Sequence, residues 1–124
     1  MHVDHLLVCW AFRMMIHLEN RFVDVPESIQ AALSSAGGNP FFSTPFLAAL
    51  EASGCVSAQQ GWQPLHLWIE AEGEPVFFLP LYRKSHSWGE FVFDQSWANA
   101  YERHGLRYYP KLLTAIPFTP SLGP

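Results

Sequence analysis

The sequence predicts an α/β protein of the α+β kind, with a mixed, mostly antiparallel sheet and flanking helices. Three observations predict it. Short apolar runs of strand length lie close together between residues 66 and 93, two of them joined by a hairpin-type turn. Two segments before them carry helix-start signals, each with a proline in the first turn. The order is strand, helix, helix, a run of strands, then a helix, with no internal repeat and no linker.

Each element has its own local reason. Met15 to Glu19 reads as a short strand. Val25-Pro26-Glu27 opens a helix with Asp24 as the expected N-cap, and Ile29, Ala32 and Leu33 form its apolar stripe. Ser34 to Pro40 is a turn rich in Ser, Gly and Asn. Ser43 or Thr44 caps a second helix whose face is Phe46, Leu47 and Leu50, and Gly54 ends it. His66 to Glu70 is the first of the clustered strands, and Ala71 to Glu74 its turn. Val76 to Leu79 is continuously apolar, the pattern of a strand buried on both faces, and Pro80 limits its pairing. Gly89 to Phe93 reads as a third strand, and Gln95 to Arg103 as a helix capped by Asp94 and stopped by Gly105. Tyr108 to Ile116 is an element of undecided type, interrupted by Pro110.

The 124 residues have room for one domain of ordinary size. Charged residues make up only 15% while the chain holds five Trp and ten Phe, so little of the surface is fully polar. A net charge of −4 argues against a general nucleic-acid or acidic-lipid surface. Yet five of the seven basic residues, Arg83, Lys84, Arg103, Arg107 and Lys111, fall in the last third, where a local anion site is expected. Cys9 and Cys55 have no CxxC or His/Cys spacing, so neither a zinc site nor a disulfide framework is expected. Leu6 to Phe12 is too short to span a bilayer and lacks the flanks of a signal peptide. The expected location is therefore cytoplasmic. Residues 1–14 read as an extension that does not conform to the rest, with the domain running from 15 to 124.

A longer series of phrases carries more information. It begins with Asn39-Pro40-Phe41, Phe46-Leu47-Ala48-Ala49-Leu50-Glu51 and Gly61-Trp62-Gln63-Pro64 with His66. It continues through Pro80-Leu81-Tyr82, Lys84-Ser85-His86-Ser87 and Gly89-Glu90-Phe91-Val92-Phe93-Asp94. Trp97-Ala98, Ala100-Tyr101, Tyr108-Tyr109-Pro110-Lys111-Leu112 and Pro117-Phe118-Thr119-Pro120 complete it. In this order the phrases resemble the N-terminal part of the FemAB-like N-acyltransferases of the GNAT superfamily, bacterial proteins described as serving peptidoglycan biosynthesis or recognition. The resemblance covers most of Asn39 to Pro120 and is weak before residue 39. It implies a partial GNAT-like fold and transfer of an acyl or aminoacyl group to an amine. The implied donor is acyl-CoA or aminoacyl-tRNA, and the implied acceptor a small amine or a peptidoglycan precursor. It also implies a chain cut short and inactive alone, since such proteins carry a second acyltransferase-like half. The alternative is a non-enzymatic fragment or a binding module that pairs with a separate second half. A sheet left incomplete would expose an edge and favour self-association.

N-acyl transfer needs an amine held neutral, a base for its proton, and donors for the developing oxyanion. His86, Glu90 and Asp94 are the candidate catalytic residues. On an extended strand Glu90, Val92 and Asp94 share one face, with Phe91 and Phe93 on the other. The competing reading makes Asp94 a helix cap, Glu90 a solvated residue and His86 a loop residue packed on Trp88. Arg83 and Lys84 are candidates for holding a phosphate or carboxylate, against the plainer reading of a solvated turn. No glycine-rich phosphate loop accompanies them. Trp97, Tyr101, Tyr108 and Lys111 are candidates for substrate contact, and with Tyr109, Arg103 and Arg107 for tRNA contact, against core packing for the aromatics. His66 reads as a structural histidine, and Cys55 has no neighbour that would make it a nucleophile. No metal site is expected.

Overall fold

A computed structural model describes residues 13–35, 38–90 and 94–119. It is a mixed α and β structure with two small antiparallel sheets and three α-helices among those residues. The elements are β1 (Met14–Glu19), α1 (Glu27–Ser35), α2 (Thr44–Ala52), β2 (Trp62–Pro64), β3 (His66–Ala71), β4 (Glu74–Leu79), β5 (Leu81–Lys84), α3 (Gln95–Arg103) and β6 (Lys111–Thr114). The apolar run Leu6 to Phe12, Cys9, Phe91 to Phe93 and Pro120 lie outside the described residues.

The first sheet has the order β1-β3-β4. Its β3–β4 hairpin turns on Glu72 and Gly73, both at positive φ (51° and 81°), the conformation that two-residue turns need to match strand twist. β1 pairs along β3 from Met14↔Ala71 to Glu19↔His66, so Met14, read from sequence as extension, belongs to the sheet. His17 stacks on Trp68 at 3.9 Å and shares a 2.9 Å hydrogen bond with Glu70.

The helices cover one face of this sheet. Phe22, Val25, Ile29 and Leu47 form a buried cluster against Leu33, Ala48, Trp68 and Phe78. Asp24 does not cap α1. It ends a 3₁₀ turn over Phe22–Asp24, and both of its carboxylate oxygens bond the Arg21 guanidinium. The first helical bonds of α1 instead run to the carbonyl of Pro26. Ser43 stands at the N-cap of α2, but its hydroxyl donates to the Pro40 carbonyl while Thr44 reaches across to that of Gln30.

β4 corrects the expectation of a doubly buried strand. It is an edge, and Val76 and Phe77 are 59% and 47% exposed. An apolar run has the same appearance whether one or two layers cover it. Here the helices pack on one face only.

At Pro80 the chain leaves the first sheet and enters the second, of order β2-β5-β6. β2 and β5 had no strand reading in the sequence, and the undecided stretch near Pro110 resolves into β6. Val56, Trp62 and Tyr82 form the second core cluster, with Leu50 and Leu113 against it. His66 joins the two cores. It is fully buried, edge-on to Phe22 and Tyr82, and its Nε2 lies 2.7 Å from Glu51 Oε2. Glu51 Oε1 accepts the Phe22 N–H, so this carboxylate ties three segments together. His66 Nδ1 has no partner among the described residues, so the structural histidine is satisfied on one side only.

Candidate functional site

The strand parity of β5 sets up the site. Tyr82 and Lys84 point inward and Arg83 outward. The Lys84 ammonium is fully buried, 3.7 Å over the Trp62 ring, and donates to the Trp88 carbonyl at 2.8 Å. The Trp62 indole N–H donates to the same carbonyl at 3.1 Å. Burial lowers the Lys84 pKa to about 8, with Lys111's charge adding to the effect and Glu90's opposing it. Arg83 is exposed and reaches Gln63 at 3.4 Å. The expected anion pair of Arg83 and Lys84 is therefore not assembled, nor is Lys84 part of a solvated turn. The two side chains leave opposite faces of one strand.

Two glycines let the loop after β5 fold tightly. Gly89 has φ +80°, and a Cβ there would come within 2.5 Å of the Phe118 ring. Phe118 also donates its N–H to the Gly89 carbonyl at 2.9 Å. Gly61 has φ +77°, and a Cβ there would meet His86 Nε2 at 2.2 Å. The 85–90 loop is thus held by Trp62 and Lys84 at Trp88, by Phe118 at Gly89 and by the bare backbone of Gly61 under His86.

This loop faces β6 and the start of α3. Lys111, the first residue of β6, directs its ammonium to Glu90 and Asp94 together and to Ser87 Oγ at 3.1 Å. The Glu90 and Asp94 side chains are only 1% and 6% exposed. Tyr108 donates to Asp94 Oδ2 at 2.7 Å, and Tyr109 and Ser87 share a hydrogen bond. Burial pushes Asp94 up, but hydrogen bonds from Lys111, Ser87 and Tyr108, with the Lys111 charge, hold it well below the ordinary carboxylate range. Burial alone would lower Lys111, and the two carboxylates raise it above the usual lysine value. Asp94 occupies the N-cap position of α3, yet its carboxylate makes no capping bond, because these partners take it.

The result is a cavity of about 590 Å³ lined by His86, Ser87, Trp88, Glu90, Asp94 and Tyr109, with Gly89 and the first residues of α3. All three candidate catalytic residues line it, although by a different route from the one expected. Glu90 lies in a turn, and a lysine distant in sequence gathers the two carboxylates. One oxygen stands out. Glu90 Oε2 is buried without a hydrogen-bond partner among the described residues. His86 Nδ1 accepts the Trp88 N–H at 3.1 Å, which leaves Nε2 as the protonated nitrogen of the neutral ring, a donor.

Tyr108 and Lys111 belong to the cluster. Trp97 and Tyr101 do not line the cavity, and neither sits in the core as helical spacing suggested. They are 65% and 41% exposed, with Tyr101 edge-on to Tyr108 at 5.2 Å. Sequence reasoning overlooked Ser87, Trp62 and Phe118, and it offered Tyr109 only as a stacking ring. Each lies in the phrases quoted above, but its role comes from contacts across the second sheet and its loop. Among the described residues no group of three or more His, Cys, Asp or Glu side chains gathers as a metal site would require. No helix among them is long and apolar enough to cross a membrane.

Fold and site together define an α+β protein whose second sheet holds a partly buried carboxylate–lysine cluster beside a cavity. The chain belongs to the FemAB-like family, described as peptidoglycan biosynthesis/recognition, whose family model matches residues 23–124. No curated protein and no solved structure matches it.

Proposed function

We propose that this chain takes part in N-acyl transfer to an amine on a peptidoglycan precursor, and that the cavity between the 85–90 loop and α3 receives that amine. The observation that supports the reading is Glu90 Oε2, a buried carboxylate oxygen without a partner among the described residues, in the wall of a cavity. Such an oxygen is costly to leave unbonded, and an N–H donor from a ligand would satisfy it. The wider placement in the GNAT superfamily belongs to the same proposal.

The chemistry follows from the groups present. The amine nitrogen attacks the acyl carbonyl carbon. A C–N bond forms, and the C–O bond of an aminoacyl ester or the C–S bond of an acyl thioester breaks. The nitrogen becomes strongly acidic once it has bonded carbon, so a weak base suffices, even one held by Lys111. Glu90 accepts that proton, which then passes to the leaving oxygen or sulfur. His86 lines the cavity, but its Nε2–H lies against the Gly61 backbone, so the ring would have to turn into the cavity to donate to the oxyanion. Asp94, with its depressed pKa, is a poor base and serves to fix Lys111. Trp97 and Tyr101, exposed on the helix whose first residues line the cavity, are the contacts proposed for the rest of the substrate or the donor. Arg83 is proposed to meet an anionic group from the outer face of β5.

Calorimetry with a soluble muropeptide bearing a free primary amine, and with its N-acetylated form, tests the reading. The free amine should bind, the acetylated form should not, and Glu90→Gln should abolish the difference. Mass spectrometry with acyl-CoA or aminoacyl-tRNA added then separates transfer from recognition alone. Equal binding of both muropeptides, unchanged by Glu90→Gln, would refute the assignment of the cavity.

A further inference from the structure

We propose that β1 is a self-association edge: two copies of this chain pair antiparallel through it, joining their three-stranded sheets into one six-stranded sheet around a twofold axis at Ile16. Among the described residues β1 and β4 are the two edges of the first sheet, and they differ in protection. β4 carries Pro75, which has no N–H to offer, and its pairing with β3 is broken by a register shift at Ile69/Glu70. β1 has six residues with an unbroken register, and no proline or lysine. Such an edge is a template for another strand.

The backbone shows which groups are on offer. Arg13 donates its N–H to Glu72 Oε1 at 3.2 Å and accepts the Glu72 N–H at 3.1 Å, so its peptide groups point toward the β3–β4 hairpin. Strand alternation then turns the peptide groups of Met14, Ile16 and Leu18 outward. In an antiparallel pair these residues bond only with residues of the same kind. Setting Ile16 opposite Ile16 of the second copy makes three such pairings within β1: Met14 with Leu18, Ile16 with Ile16, and Leu18 with Met14. Sliding the register by one step either way leaves two.

Charge complementarity selects the same register. It sets Arg13 of each copy opposite Glu19 of the other, at both ends of the shared strand pair. The sequence Arg13-Met14-Met15-Ile16-His17-Leu18-Glu19 is therefore self-complementary about its centre: a cation, an apolar stripe and an anion. That is what a twofold contact requires of one surface patch. Ile16 is 69% exposed, and Met14 and Leu18 are exposed beside it. Their register with Ala71, Ile69 and Leu67 places them on the sheet face opposite Trp68 and Phe78, which pack on the helices. Pairing joins the two apolar stripes.

Sedimentation velocity of the full chain over a range of concentrations is the first measurement, and a concentration-dependent dimer is expected. Arg13→Glu should weaken it by about tenfold, since it places two like-charged pairs opposite each other. Glu19→Arg should do the same, and the double reversal should restore the dimer. Ile16→Cys, in a Cys9→Ser, Cys55→Ser background, should form a disulfide-linked dimer on mild oxidation. A chain that stays monomeric at every concentration would overturn the proposal. So would a dimer indifferent to both single reversals, or an Ile16→Cys variant that does not cross-link.

Discussion

Replacing Lys111 by Met should be among the most damaging single changes to this fold, and the damage should depend on pH in an unusual direction. The ammonium lies against Glu90 and Asp94, whose side chains are 1% and 6% exposed. Removing it leaves two buried carboxylates facing each other. Breaking a buried pair in this way costs about 3–5 kcal/mol. Lys111 keeps some exposure, which points to the lower end, about 3 kcal/mol. A domain of this size has a total stability of about 5–15 kcal/mol, so the midpoint of thermal unfolding should drop by about 10 °C. In the native protein Asp94 has a depressed pKa, so its contribution is present above the unfolded value of about 4 and is lost as pH falls below it. In the variant the two carboxylates share a site without a cation, and at least one is raised above its unfolded value. The folded variant then binds more protons than the unfolded chain, and its stability recovers as pH falls from about 7 to about 5. Urea unfolding followed by tryptophan fluorescence across that range measures both terms. Adding Glu90→Gln and Asp94→Asn to Lys111→Met should recover much of the loss, because no buried charge remains. A deficit below about 1 kcal/mol at neutral pH, or one constant with pH, would refute the reasoning.

Lys84 predicts the opposite limb. Its folded pKa of about 8 lies below the ordinary lysine value, so the folded state sheds its proton first as pH rises. Stability should therefore climb between about pH 8 and pH 10, by no more than about 3 kcal/mol, and Lys84→Met should be flat over that window in urea titrations. Gly89→Ala and Gly73→Ala separate strain from collision. Both have φ near +80°, but a Cβ at Gly73 meets open space while one at Gly89 meets the Phe118 ring. Gly73→Ala should cost about 1 kcal/mol and Gly89→Ala at least about 2 kcal/mol, read from unfolding midpoints.

Much of the first sheet and its helices was legible residue by residue. The helix over residues 95–103 and the hairpin at Glu72-Gly73 depend on a stop at Gly105 and on turn residues that act within a few positions. The candidate site was legible as a neighbourhood. His86, Glu90 and Asp94 do line one cavity. What failed were the expected side-chain caps, the short strands of the second sheet, and the statements that needed knowledge of layers. An apolar stretch such as Val76 to Leu79 does not encode how many faces are covered, and Trp97 and Tyr101 at helical spacing do not encode whether anything packs on them.

The sequence by itself determined β1, the three helices, the β3–β4 hairpin, the family resemblance and the short list of chemically able side chains, because these follow from local preference and residue identity. Only the tertiary structure decided that Lys111 gathers Glu90 and Asp94 from 21 and 17 positions away. It alone turned Lys84 inward beneath Trp88 and left Glu90 Oε2 without a partner among the described residues. The physical reason is that burial and charge pairing are properties of a place in the fold. The same lysine is a solvated cation on one face of a strand and a desolvated one on the other, and only the packing of β2, β5 and β6 says which.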